Sequence, residues 1–155
     1  MDKQIPNKYE AYSPKTEHIN KKLNSLLSLS YTYNTKNSQE IADELKRTQT
    51  DKQMKIITLD ITDLFVNLPI QGILTTTKFW LNRNTNDSEL IKQTLYILEI
   101  IMKQNYFQYN ERFLQPDKGI AMGSPISSTM AEAYLQYIGE TFIKQWLESK
   151  QIAYY

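Results

Sequence analysis

A chain of 155 residues is long enough for one domain with a hydrophobic core of its own. It contains no cysteine, which excludes disulfides, thiolate zinc sites and a cysteine nucleophile. The formal net charge is only +1, from 18 basic and 17 acidic residues, so the basic excess of a free-standing nucleic-acid binder is missing, although a near-zero sum can hide local fields of opposite sign.

The hydrophobic fraction of 41% and the charged fraction of 23% are those of a globular protein. No apolar run approaches the ~18 residues of a membrane span, so no membrane association is expected. Met1–Tyr12 lacks the apolar core of a signal peptide. Eleven tyrosines are many for this length; they either line amphipathic faces or stack on bases.

Met1–Pro14 is polar and reads as a loop or an entering strand. Thr16–Leu29 reads as a helix, because Ile19, Leu23, Leu26 and Leu27 share one face. Lys15, Lys21 and Lys22 lie off that face, either as a solvated surface or as contacts to a nucleic-acid phosphate. His18, the sole histidine, has no second ligand in helical register. A tyrosine-rich link, Ser30–Lys36, leads to a second helix. Asn37 is suited to cap it, Glu40 to complete a capping box, and Ile41, Ala42 and Leu45 give it a short apolar face. Gln49–Gln53 reads as a polar turn.

Lys55–Ile61 has the alternation of a strand. Ile57, Leu59 and Ile61 point one way and Ile56, Thr58 and Asp60 the other, which predicts an interior strand of a sheet. After Asn67-Leu68-Pro69 a helix is expected through Trp80, with Pro69 near its start; Gly72 and Thr75–Thr77 weaken it. A strong helix is predicted over Ser88–Gln104, with Asp87 or Ser88 as cap and Ile91, Leu95, Leu98 and Met102 as its stripe. Tyr106–Gln115 reads as a hairpin turning at Asn110-Glu111. A loop, Lys118–Pro125, precedes a helix over Ser127–Glu148 with Met130, Ala133, Tyr134, Tyr137, Ile138 and Phe142 inward. Ile152–Tyr155 reads as the opening of a further strand.

Two segments carry candidate chemistry. In Leu59-Asp60-Ile61-Thr62-Asp63-Leu64-Phe65 two carboxylates stand three apart where a strand leaves a sheet. Mg²⁺ commonly takes one or two carboxylates together with substrate phosphates, so such a pair suits a metal shared with a nucleotide. A surface turn acid and a helix cap would give the same spacing. In Gly119-Ile120-Ala121-Met122-Gly123-Ser124-Pro125 the glycines permit a tight loop and close approach by a ligand, or simply a turn. The loop is neither a Walker A sequence nor a dinucleotide loop. Ser124 lacks the surroundings of a hydrolase nucleophile.

Together the two segments resemble a retroelement reverse transcriptase, most closely the Penelope-like branch. Ile57–Pro69 is similar to the first catalytic motif of that family, and Tyr106-Phe107-Gln108-Tyr109 and Gly119–Pro125 follow at the family's spacing. Tyr12-Ser13-Pro14 and Asn37-Ser38 also fit, so the resemblance spans nearly the whole chain.

The resemblance implies an α+β fold, a partial right-hand polymerase with fingers and palm, its helices packed on a small antiparallel sheet. Residues 1–54 would be a fingers portion, 55–81 the first palm segment, 82–118 a fingers helix and hairpin, and 119–155 the second palm segment with its long helix. It further implies an RNA-directed DNA polymerase that adds dNTPs to a primer 3′-hydroxyl with Mg²⁺, or with Mn²⁺ in its place. Asp60 would be the catalytic, metal-binding aspartate, Ile61 would lend its backbone carbonyl to the metal, and Asp63 would lie beneath the triphosphate. Phe65 would be a steric gate against a ribose 2′-hydroxyl, and Gly123, Ser124 and Pro125 would lie against the template base and nascent pair. Partners would be template-primer nucleic acid and dNTP, in the nucleus if the parent element is active in a eukaryote.

No Asp-Asp pair occurs in the chain, whose last aspartate is Asp117. The family's third motif, an aromatic-x-Asp-Asp hairpin, and its thumb are therefore missing, as are the first finger strands. Two divalent ions need more converging anions than Asp60 and Asp63 supply, so the isolated chain is expected not to polymerise. An unpaired strand edge and poor solubility are expected to accompany the missing palm segments. The alternatives are a non-catalytic nucleic-acid-binding or structural remnant, and a helical interaction protein unrelated to polymerases.

Overall fold

The computed structural model describes residues 14–30, 34–35, 37–48 and 54–155. The expectations for Met1–Ser13, for part of the Ser30–Lys36 link and for the Gln49–Gln53 turn lie outside the described residues. The chain divides into two units. One comprises residues up to Leu29 together with Asp63–Tyr134; the other comprises Ser30–Thr62 and Leu135–Tyr155.

The larger unit is built on helices. Its first, α1 (Pro14–Leu27), buries Leu23 and Leu27 as the apolar spacing requires. After a one-turn helix α3 (Leu64–Asn67), α4 runs over Ile70–Asn84 with Pro69 at its N-cap, where a missing N–H costs nothing. It buries Ile73, Thr76, Thr77, Trp80 and Leu81. Gly72 is explained by packing, since a Cβ there would lie 2.9 Å from Pro69 Cγ and 3.1 Å from Tyr134 Cε2. Helix α5 (Ser88–Lys103) opens on Asp87, whose carboxylate accepts from the N–H groups of Glu89 and Leu90 at 3.1 and 3.0 Å. Ile91, Leu98 and Met102 form its buried stripe.

Strands β1 (Phe107–Tyr109) and β2 (Arg112–Leu114) pair antiparallel. Asn110 and Glu111 both adopt left-handed backbone, at φ 45° and 61°, the geometry that matches a two-residue turn to the twist of its strands.

The long C-terminal helix begins as α6 (Ser127–Ile138). Its first turns are tied to the helices before it. Trp80 Nε1 donates to the Ala133 carbonyl at 2.9 Å, and the Thr129 hydroxyl lies 2.8 Å from Asn20 Oδ1 on α1. The Asn84 amide donates to the Leu26 carbonyl at 3.2 Å and also to that of Leu27, closing the end of α1 against the end of α4. The buried Trp80 and Thr129 side chains are thus both hydrogen-bonded.

The smaller unit contains α2 (Ser38–Arg47), the residues before the Asp63 turn and the end of the long helix. Asn37 caps α2 by accepting from Glu40 N at 3.0 Å, as the sequence predicts. The long helix continues as a π-turn over Gly139–Ile143, where Lys144 N donates to the Gly139 carbonyl, and then as α7 (Lys144–Glu148). The Tyr154 hydroxyl donates to Glu44 Oε2 at 2.6 Å.

Four expectations are corrected. The described residues are mostly helical and their sheet is a single two-stranded hairpin, so helices packed on a small antiparallel sheet do not form. Lys55–Ile61 is in neither helix nor ladder, and Ile56, Ile57, Leu59 and Ile61 are 87%, 76%, 90% and 52% exposed rather than interior. Alternation makes a strand only where another strand supplies hydrogen bonds, and the described residues supply none here. Ile152–Tyr155 likewise opens no strand; Ile152 N donates to the Trp146 carbonyl and wraps the helix end. Phe142, expected inward, is 48% exposed while Ile143 is buried. A π-turn holds one residue more than an α-turn, so the inward place five residues after Ile138 falls to Ile143.

Candidate functional site

The site is assembled from a turn and a loop of the larger unit. The turn begins at Asp63, in left-handed backbone at φ 50° and ψ 48°, a conformation that aspartate tolerates better than most residues. Its carbonyl accepts from Val66 N and Asn67 N, each at 3.0 Å, which winds Leu64–Asn67 into one helical turn. Leu68, next along, is buried and anchors that turn in the core. The Asp63 side chain is exposed and Phe65 is half-buried.

The loop begins at Gly119, at φ +84°. A Cβ at this position would lie 2.6 Å from the Val66 carbonyl oxygen, 2.7 Å from that of Phe65 and 2.8 Å from Val66 Cα. No side chain fits there, and the left-handed backbone favours glycine independently. The next residue, Ile120, is buried, and its N–H donates to the Phe65 carbonyl at 2.9 Å. Beside this bond the Lys118 ammonium donates to Asn67 Oδ1 at 3.0 Å. The far end of the loop is set by Ser127, whose hydroxyl donates to the Ala121 carbonyl at 2.6 Å, and by Ile126, which is buried. Between these anchors Met122 and Gly123 are exposed and Gly123 turns at φ +89°. Ser124 and Pro125 are half-buried and lead into α6.

Of the predicted site residues, Asp63 and Phe65 therefore stand in the turn that the glycine loop abuts. Gly123, Ser124 and Pro125 occupy the other end of the same loop. Asp60 and Ile61 belong to the smaller unit and are exposed there. The sequence reading overlooked the role of Gly119 as the contact glycine and the pairing of Lys118 with Asn67. A second glycine, at the loop's start, was the available signal for the first; nothing in the sequence marks the second.

Among the described residues no three histidine, aspartate or glutamate side chains gather where they could hold a metal ion. Each unit contributes one carboxylate of the expected pair, Asp60 in one and Asp63 in the other. Mg²⁺ commonly takes one or two carboxylates together with substrate phosphates, a set of which Asp60 and Asp63 would supply only the carboxylates. His18 lies on α1 beside a groove of about 110 Å³, lined also by Lys22 and Leu26 of α1 and by Leu90, Gln93 and Ile97 of α5.

Comparison with family models, with curated proteins and with solved structures gave no match. Among the described residues no helix is long and apolar enough to cross a membrane.

Proposed function

We propose that this chain is a fragment of an RNA-directed DNA polymerase, containing parts of its fingers and palm and inactive as the isolated chain. One observation carries the reading. The two segments that resemble catalytic motifs, far apart in sequence, share a backbone hydrogen bond from Ile120 N to the Phe65 carbonyl, at a contact that only glycine at 119 allows.

In this reading the half-buried ring of Phe65 stands beside the ribose of an incoming nucleotide, where its bulk excludes a 2′-hydroxyl. Asp63 underlies the triphosphate. Gly123, Ser124 and Pro125 lie along the template base and the nascent pair, the exposed glycine offering backbone that a base can approach closely. Asp60 and the Ile61 carbonyl are metal ligands in the parent protein. Mg²⁺, when bound there, would neutralise charge on the primer 3′-oxygen and the leaving pyrophosphate. A second reading, a non-catalytic remnant, draws on the solvent exposure of Asp60 and its neighbours.

Primer extension separates the two. The 155-residue chain should extend no primer with Mg²⁺ or Mn²⁺, and template-dependent incorporation by it would overturn the claim of inactivity. A longer protein that continues the reading frame through an aromatic-x-Asp-Asp segment should extend one. Asp60→Ala in that protein should lower turnover by ~10³-fold; retained turnover would remove Asp60 from the catalytic set, whereas no extension by the longer protein at all would leave the remnant reading.

A further inference from the structure

We infer that Lys55–Thr62 is a self-pairing strand, through which two copies of this chain associate antiparallel about a two-fold axis at Leu59. The inference stands on the exposed segment and does not depend on the polymerase reading.

Ile56, Ile57, Thr58, Ile61 and Thr62 are β-branched, a composition suited to strands. The segment nonetheless lies outside any ladder of the described residues, with its aliphatic side chains in water. Such a segment is a template for another strand. The identity of that strand follows from register. In a symmetric antiparallel pair the axis is perpendicular to the sheet and passes midway between the two copies of one residue, so each register is named by that central residue.

Centred on Ile57, the pair sets Lys55 against Leu59 and Met54 against Asp60. Centred on Thr58, it sets Lys55 against Ile61 and Asp60 against Ile56. Both place charges opposite aliphatic side chains. Centred on Leu59, the mismatch disappears. Leu59 meets Leu59 and Ile57 meets Ile61 twice, so the centre of one face is wholly aliphatic. On the other face Thr58 meets Asp60 twice, a hydroxyl beside a carboxylate, and Ile56 meets Thr62. At each end Lys55 comes opposite Asp63, where the strand turns, so charge complementarity favours the same register. A second copy of the chain is thus the occupant that the sequence of the segment itself specifies. The association is weak, in the ~100 µM range, because a two-stranded ribbon is marginal in water.

The absence of cysteine makes the register directly testable. Leu59→Cys puts its two sulfurs on the axis, with Cβ atoms about 5 Å apart and close to disulfide reach. Under mild oxidation this variant should give a covalent dimer at least ~10-fold faster than Thr58→Cys or the helix-surface control Ser128→Cys. All three positions are exposed, so none of the substitutions disturbs packing. Sedimentation equilibrium of the unmodified chain should show a monomer–dimer equilibrium. Lys55→Glu and Asp63→Lys should each weaken it several-fold, and the two combined should restore it. A monomer up to ~500 µM, faster crosslinking at Thr58, equal rates at all three positions, or open-ended polymers in place of dimers would each overturn the inference.

Discussion

Leu64–Leu68 and Met54–Ile61 are separated only by Thr62 and Asp63, and they are held in opposite ways. The first is wound by backbone bonds to Asp63, anchored by buried Leu68 and met by the N–H of Ile120. The second has aliphatic side chains in solvent and no ladder among the described residues. The difference shows what each needs. A one-turn helix closes its own hydrogen bonds, and one apolar anchor fixes it. A strand closes none of its own and depends wholly on a neighbour.

The largest test of this contrast is Gly119→Ala. The new Cβ would collide with the Phe65 and Val66 carbonyls in a backbone conformation already adverse to alanine, and we expect about 2–4 kcal/mol of lost stability in urea denaturation. A loss below ~0.5 kcal/mol would mean that the turn and the loop are not joined. Cap removal ranks next. Asp87 accepts two N–H groups and Asn37 one, so Asp87→Ala should cost about 1–2 kcal/mol and Asn37→Ala about 0.5–1 kcal/mol. The two tryptophans, Trp80 and Trp146, lie in different units, so fluorescence can follow each loss where it occurs.

Ile57→Thr should change unfolding by no more than ~0.5 kcal/mol, since the side chain is already in water. A larger loss would show that the segment is packed in solution and would break the comparison. The smallest effect concerns Tyr154. The hydrogen bond to Glu44 holds its hydroxyl above the ordinary value of 10.0, followed by desolvation and the nearby negative charges of Glu44 and Glu40. Because the folded value is raised, this contribution is complete below pH 10 and fades as pH rises through the folded value. Ultraviolet difference titration of the Glu44→Gln variant against the unmodified chain should show the Tyr154 hydroxyl ionising at lower pH in the variant.

The helices were legible because their signals are local. Asn37, Asp87 and Pro69 mark helix starts, and the stripe of Ile91, Leu98 and Met102 is a matter of spacing. The hairpin was legible for the same reason. Lys55–Ile61 was misread because alternation describes one strand and says nothing of whether another lies beside it. The π-turn left no trace in the apolar pattern, so Phe142 was assigned the place that Ile143 takes. At the candidate site, the glycines announced that the loop needed unusual backbone. That its partner would be the carbonyls of Phe65 and Val66 depended on a fold that neither segment encodes alone.

The turn at Gly139–Ile143 has a consequence for how the chain tolerates change in length. It winds one surplus residue into an otherwise continuous helix. Deletion of Thr141 would therefore leave plain α-helix, with Trp146 and Leu147 still on their present sides. The same deletion within Ser88–Lys103, which carries no surplus, would rotate half of its apolar stripe into water.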